Sequence, residues 1–330
     1  MLTSPACAGR IDRFVVDRVV VTGATVGDTG KACMMGAALL HPLDSVSKRS
    51  PALALTVAEG VAAVCDEAAA WEADLAVERA RRNFVALGDA RAAEITDAGL
   101  HAARAHGRAA ARFERSFQSL QEAFGTVGEG CPSIAERDEF TYVFGLVGGT
   151  LALLNDRASG GVNDIPLDRL AAIARGSTCV DDARWWSVPS ALRGAAWAVV
   201  PGSGPADQDP WQLLEEAATR GEASGVRVAR AIQVLIASNQ GNDEVVTSAL
   251  AAHAASLAAN PADPAWLLLD QYATEVSLHQ SDLRWTRERG HRTERFGTVP
   301  TDVAAPAPTG PDPFGEVFGA DPFENKEETP

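Results

Sequence analysis

The chain has 330 residues, 46% apolar and 22% charged, enough to bury a large core as one big domain or two. Its 44 acids and 29 bases leave a formal charge of −15, which argues against nucleic acid or an anionic membrane surface as partner, since both need clustered Lys and Arg. No window reaches the roughly 18 apolar residues of a membrane span. Abundant alanine with few β-branched runs favours an all-α fold.

Residues 1–30 form a short mixed segment. Ile11 to Val20 reads as a first helix or strand, broken by Gly23, Gly27 and Gly30. Lys31 to Leu40 predicts a short helix that stops near Pro42. Ser50-Pro51 then looks like an N-cap with proline at the first helical position. Val57, Val61, Val64, Ala68, Trp71 and Leu75 keep one apolar stripe on a long helix, with acids in its middle and Arg79, Arg81 and Arg82 at its end. Leu87-Gly88-Asp89 is the turn. Ala103, His106, Ala110, Phe113, Phe117, Leu120 and Phe124 repeat the spacing, so 51–125 predicts a helical hairpin about 50 Å long. His106 lies on that stripe without a ligand partner at i+4 and reads as a core or interface histidine.

Phe140 to Leu154 is nearly free of charge and predicts a buried helix. Asn155 to Pro166 reads as a loop, and Leu167 to Arg175 as a shorter helix. Asp181 to Val200 holds three of the seven tryptophans. Asp181 and Asp182 suit a helix N-terminus, and Trp186, Arg193 and Trp197 recur at helical spacing. This predicts Trp186 and Trp197 facing inward against Phe140–Leu154, with Trp185 pointing about 100° away and either more exposed or meeting another element. Pro189 marks a bend or a late helix start. The two stretches together read as a central helical pair. Tyr142, Trp186 and Trp197 are its candidates for lining an apolar ligand cavity, with a solid aromatic core as the alternative.

From Trp211 onward, helices are predicted near 211–220, 225–238, 242–258 and 264–288. The Asn260-Pro261-Ala262-Asp263-Pro264 turn gives the set the look of degenerate tetratricopeptide-like repeats. After 298 the composition turns to Pro, Ala, Gly and acid, which predicts a disordered tail over 299–330. Phe314, Phe318 and Phe323 sit there around two Asp-Pro-Phe motifs. They offer a peptide-docking segment for an unidentified receiver, or a tail with no partner. The organisation is thus an N-terminal segment over 1–30, an all-helical domain over 31–298 and the tail.

The chemistry in the sequence is sparse. No serine sits on a strand-turn-helix elbow, and neither a His-Glu-x-x-His motif nor a phosphate-binding glycine loop occurs, so no catalytic residue, metal ligand or cofactor is assigned. His279 and Asp282 share a helix face and read as an exposed polar surface. The cysteines are Cys7, Cys33, Cys65, Cys131 and Cys179, with no Cys-x-x-Cys pair. With Cys7 set aside, Cys33–Cys65 and Cys131–Cys179 is the most local of three pairings. Five buried thiols in a cytoplasmic protein is the alternative.

Three stretches together resemble the T-component of TRAP-type transporters, the TatT-like helical-repeat lipoproteins. Cys7-Ala-Gly-Arg-Ile-Asp-Arg-Phe-Val-Val-Asp-Arg-Val is similar to a mature lipoprotein start. Phe140–Leu154 followed by Ile165-Pro166-Leu167-Asp168-Arg169-Leu170 resembles the family's small-residue-rich helix, linker and next repeat. Ala249 through Asp263-Pro264 to Leu283-Arg284-Trp285 resembles its last repeat and closing helix. Ser4-Pro5-Ala6 departs from the leucine-containing motif that precedes a lipidated cysteine. The resemblance implies a non-enzymatic periplasmic protein, anchored through lipid on Cys7 rather than spanning the membrane. It further implies homo-oligomers, a small hydrophobic ligand and a periplasmic solute-binding protein as partner. A helical scaffold that binds proteins without a small ligand is the competing reading.

Overall fold

A computed structural model describes residues 5–45, 51–87 and 92–300 of the chain. Every regular element among them is helical. The N-terminal helix α1 (Pro5–Phe14) runs through a π-helical stretch, Val15–Val20, into α2 (Val21–Ala24). Next come α3 (Thr29–Ser45), α4 (Ala52–Leu87) and α5 (Ala92–Phe124). These are followed by α6 (Glu139–Ser159), α7 (Arg169–Gly176) and α8 (Val188–Val199). Last are α9 (Pro210–Ala223), α10 (Val228–Asn239), α11 (Asp243–Ala259) and α12 (Leu267–Arg289). Among the described residues no helix is long and apolar enough to cross a membrane.

The long hairpin is present as α4 and α5, its connecting turn at Leu87-Gly88-Asp89 lying largely outside the described residues. On α5 the expected stripe from His106 to Leu120 is buried. On α4 the stripe differs: Ala68 is exposed, and Ala63, Glu67, Ala70, Ala73 and Val77 are buried instead. The reason is that α4 is covered on several sides, by α3, α5, α6 and α12, so no single apolar stripe defines it. Polar contacts join the hairpin where it is tightest, Ser116 Oγ donating to the Thr56 carbonyl at 2.6 Å and Arg115 Nε to Glu59 at 2.9 Å.

α6 does not pair with α8 as the sequence suggests. It lies against α5 and touches α8 only marginally. Gly145 and Gly149 explain the choice of partner: a Cβ on Gly149 would lie 2.4 Å from the Phe117 ring, and one on Gly145 would lie 2.8 Å from Leu120. Only glycine lets the two backbones come this close. α6 also runs on through Ser159, five residues into the expected loop, and closes on Gly160 in the left-handed conformation.

The tryptophan stretch is corrected in the same way. α8 starts at Val188, so Trp186 precedes the helix and shares no helical face with Trp197. Trp186 and Ser187 both take positive φ, forming a tight turn. Asp182 caps the helix by accepting the Ser190 N–H at 2.7 Å, and Pro189 does mark a late start. Of the two expectations for Trp185, exposure or contact with another element, the second holds: it is buried, and its Nε1 donates to Glu139 of α6 at 2.9 Å.

α8 to α12 stack as successive pairs, α9 on α8, α10 on α9, then α11 and α12 on α10. Gly225 sits between α9 and α10 at φ +75°, where its carbonyl accepts from Asp263 of the Asn-Pro-x-Asp-Pro turn. Both local cysteine pairs are bridged. Cys33–Cys65 (Cα–Cα 5.6 Å) ties α3 to α4, and Cys131–Cys179 (5.2 Å) ties the segment before α6 to the short turn that follows α7. α3 continues through Pro42 to Ser45, beyond the expected stop. At the C-terminal end, Pro300 is buried and its carbonyl accepts from Arg289 at 2.6 Å, so the segment after α12 folds back on it through residue 300. The tail with Phe314, Phe318 and Phe323 lies outside the described residues, as does the side chain of Cys7.

Candidate functional site

Tyr142, Trp186 and Trp197 do not converge on a cavity. Tyr142 packs edge-on against Phe124 and donates to the Gly176 carbonyl at 3.3 Å. Trp186 belongs to an aromatic cluster with Trp185, Trp266 and Phe140, its ring centroid 4.9 Å from that of Trp266. Trp197 is half-buried under the Gly204 loop.

The cavity instead lies along α4. One part, of about 230 Å³, is bounded by Glu67, Trp71 and Asp74 of α4, His106 of α5, Asn155 of α6 and His279 of α12, with the end of α10 alongside. A second part, of about 320 Å³, shares Asp74, Ala158 and Leu283 with the first and continues past Val77 to Glu78, Arg81 and Arg287. Together they form a groove with α4 as floor, α5 as one wall and α12 as the other. Small residues on α5, Gly99, Ala102 and Ala103, keep the wall low, and a Cβ on Gly99 would meet nothing within 4 Å.

A hydrogen-bonded chain crosses the inner part. Tyr272 Oη donates to Glu67 at 2.6 Å, and the Asn155 amide donates to Glu67 at 2.8 Å and to the Leu151 carbonyl at 3.0 Å. Both donors of Asn155 are thereby spent, so its Oδ1 faces His106 Nδ1, 2.7 Å away, as acceptor. His106 Nε2 lies 3.1 Å from both oxygens of Asp74. With acceptors on either side, His106 is an imidazolium. Burial works against that charge, but the bonds to Asp74 and its negative field outweigh burial and raise the His106 pKa above 6.5. Burial likewise opposes ionisation of Asp74, and the bonds from His106 and His279 hold it below the usual carboxylate range. Burial wins at Glu67, whose pKa is raised despite its two donors, and at Tyr272, which is pushed well above 10.

His279 is stacked on Trp71 with ring centroids 5.2 Å apart, and Tyr272 lies on the same indole at 6.3 Å. Its Nε2 sits 3.4 Å from Asp74, while its Nδ1 is buried with no partner. The exposed polar face expected for His279 and Asp282 is therefore overturned. Both are buried, and Asp282 accepts the Thr293 N–H at 2.9 Å where the chain folds back after α12.

Both nitrogens of His106 are occupied, and Ser238, the hydroxyl on the rim, donates to Gln280 rather than facing a base. Among the described residues no three His, Cys, Asp or Glu side chains converge as metal ligands. Of this site the sequence offers His106 and Trp71 as packing residues and His279 as part of an exposed polar face. The signal it held was the second α4 series, Glu67, Trp71, Asp74 and Glu78 at 4-3-4 spacing, running beside the apolar stripe. No protein-family model, no curated protein and no solved structure gives a significant match to the chain.

Proposed function

We propose that this chain is a non-enzymatic binding protein of the cell envelope that holds a small organic ligand in the groove between α4, α5 and α12. The observation that carries the reading is the inner groove itself: a cavity of about 230 Å³ beside a fixed Asp74–His106 pair and a stacked Trp71, with the buried His279 Nδ1 unpaired. Sites of this kind combine apolar walls with a few oriented polar groups. Two bridged cysteine pairs suit an oxidising compartment. The setting this fits is the one implied by the sequence resemblance, an accessory T-component of a TRAP-type system, lipid-anchored through Cys7, oligomeric, and docking a periplasmic solute-binding protein. Stacked α8–α12 pairs also suit the rival protein-binding scaffold.

Intact mass of protein from its native envelope fraction, under denaturing and native conditions, tests the reading. The expected result is two disulfides, a lipid increment on Cys7 and a co-purifying small mass that is lost in Gly99→Trp. A co-purifying mass that survives Gly99→Trp contradicts the groove, and free thiols throughout contradict the compartment.

A further inference from the structure

The outer end of the groove differs in charge from the rest of this acidic protein. Arg81 donates to Glu78 at 3.0 Å, and Arg287 places Nε and an amino group 3.3 Å from the same carboxylate. Glu78 is nearly buried, while both arginine side chains are more than half exposed. One carboxylate is thus shared by two guanidinium groups, each with further N–H donors turned to solvent. Arg82 leaves this mouth to donate to the Arg287 and Glu288 carbonyls at the end of α12. Deeper in, Asp74 adds no net charge, because His106 neutralises it. Of the charged residues lining the outer groove, Asp74, Glu78, Arg81 and Arg287, the balance including His106 is one positive charge. Between the mouth and Trp71 the lining alternates, Val77, Ala158 and Leu283 standing around Asp74, whose carboxylate is turned to His106 and His279. Trp71 and Arg81 are ten residues apart on α4, roughly 15 Å at the helical rise.

We propose that the groove takes an amphipathic organic monoanion, its acid group held between Arg81 and Arg287 and its apolar body lying over Leu283 and Val77 toward Trp71. This rests on the groove being the binding site. Arginine forks suit carboxylate and phosphate alike, and the low-walled groove suits a narrow chain better than a broad ring system.

Calorimetric titration of the full chain with decanoate, decyl phosphate, decanol and decyltrimethylammonium, all below their micellar concentrations, tests this. Either anion is expected to bind about tenfold or more tightly than decanol, and the cation weakest. Arg81→Gln/Arg287→Gln should bring the anions to the level of decanol, and Arg81→Lys/Arg287→Lys should restore much of the difference. Both arginines are exposed, so the melting temperature reports whether the variants are folded. Equal affinity for anion and decanol, or anion affinity unchanged in the double Gln variant, overturns the anion assignment. If Gly99→Trp then abolishes that binding, the groove still stands as the site. Binding that survives Gly99→Trp, or none by any of the four compounds, removes the groove and the proposal together.

Discussion

Two regions of this molecule bury charge, and they do so to different ends. In the C-terminal helices, Arg227 is fully buried. Its guanidinium donates to Asp270 at 2.7 Å, Ser256 Oγ at 3.0 Å and the Ser256 carbonyl at 2.9 Å. Arg230 beside it donates to Glu222 at 2.8 Å and to Glu215, and its bonds pull the Glu215 pKa to about 2. His253, packed near these cations, is driven to a pKa of about 3 by burial and by the fields of Arg227 and Arg230. None of these residues lines a described cavity. Along α4 the same kinds of groups border open space and are left incompletely bonded, with His279 Nδ1 unpaired. The two buried histidines accordingly differ in charge, His106 cationic beside an acid and His253 neutral beside bases. Buried charge alone thus marks no site here. Buried charge beside a cavity does.

The contrast can be broken at either end. Asp270→Ala leaves Arg227 charged, buried and unable to neutralise itself, and is expected to cost about 3–5 kcal/mol in chemical denaturation. Asp74→Ala is expected to cost less, about 1–3 kcal/mol, because His106 can release a proton and the groove admits water. Equal losses would mean the α4 seam is as closed as the arginine layer.

The pH dependence separates the two histidines. The raised pKa of His106 stabilises the fold below pH 6.5, and this stabilisation is lost as pH rises through its folded value. The depressed pKa of His253 acts oppositely, since the unfolded chain takes up the proton first. Stability is therefore lost as pH falls from 6.5 toward about 3. His106→Gln should flatten the alkaline limb and His253→Gln the acid limb, each by at most about 1.4 kcal/mol per pH unit. Denaturant midpoints across the pH range read both limbs. Identical pH profiles for the two variants would contradict the charge assignment. The smallest effect is expected for Gly99→Trp, within about 0.5 kcal/mol of wild type, because the helical position gains propensity and the ring enters empty groove.

Much of the scaffold was legible in the sequence because helical periodicity is local. The α5 stripe from His106 to Leu120, the charge-free α6, the C-terminal helix set and the two cysteine pairs all followed from spacing. What failed was pairing across the chain. The charge-free Phe140–Leu154 run and the nearby tryptophan stretch suggest a pair, whereas Gly145 and Gly149 dock the run on Phe117 and Leu120 of α5. Helical spacing in the sequence extends back through Trp186, yet positive φ at Trp186 and Ser187 breaks the helix there. The groove was hidden for a related reason: Glu67 and Asp74 look like solvated acids until Asn155, His106, Tyr272 and His279 arrive from three other helices.

The most direct test of the groove is fluorine NMR on the full chain labelled with 5-fluorotryptophan, each of Trp71, Trp185, Trp186 and Trp266 assigned by its Phe variant. On titration with decanol and with decanoate, the Trp71 resonance is predicted to move while those of Trp185, Trp186 and Trp266 stay in place. Movement confined to the Trp185–Trp186–Trp266 cluster, with Trp71 unmoved, would contradict the account.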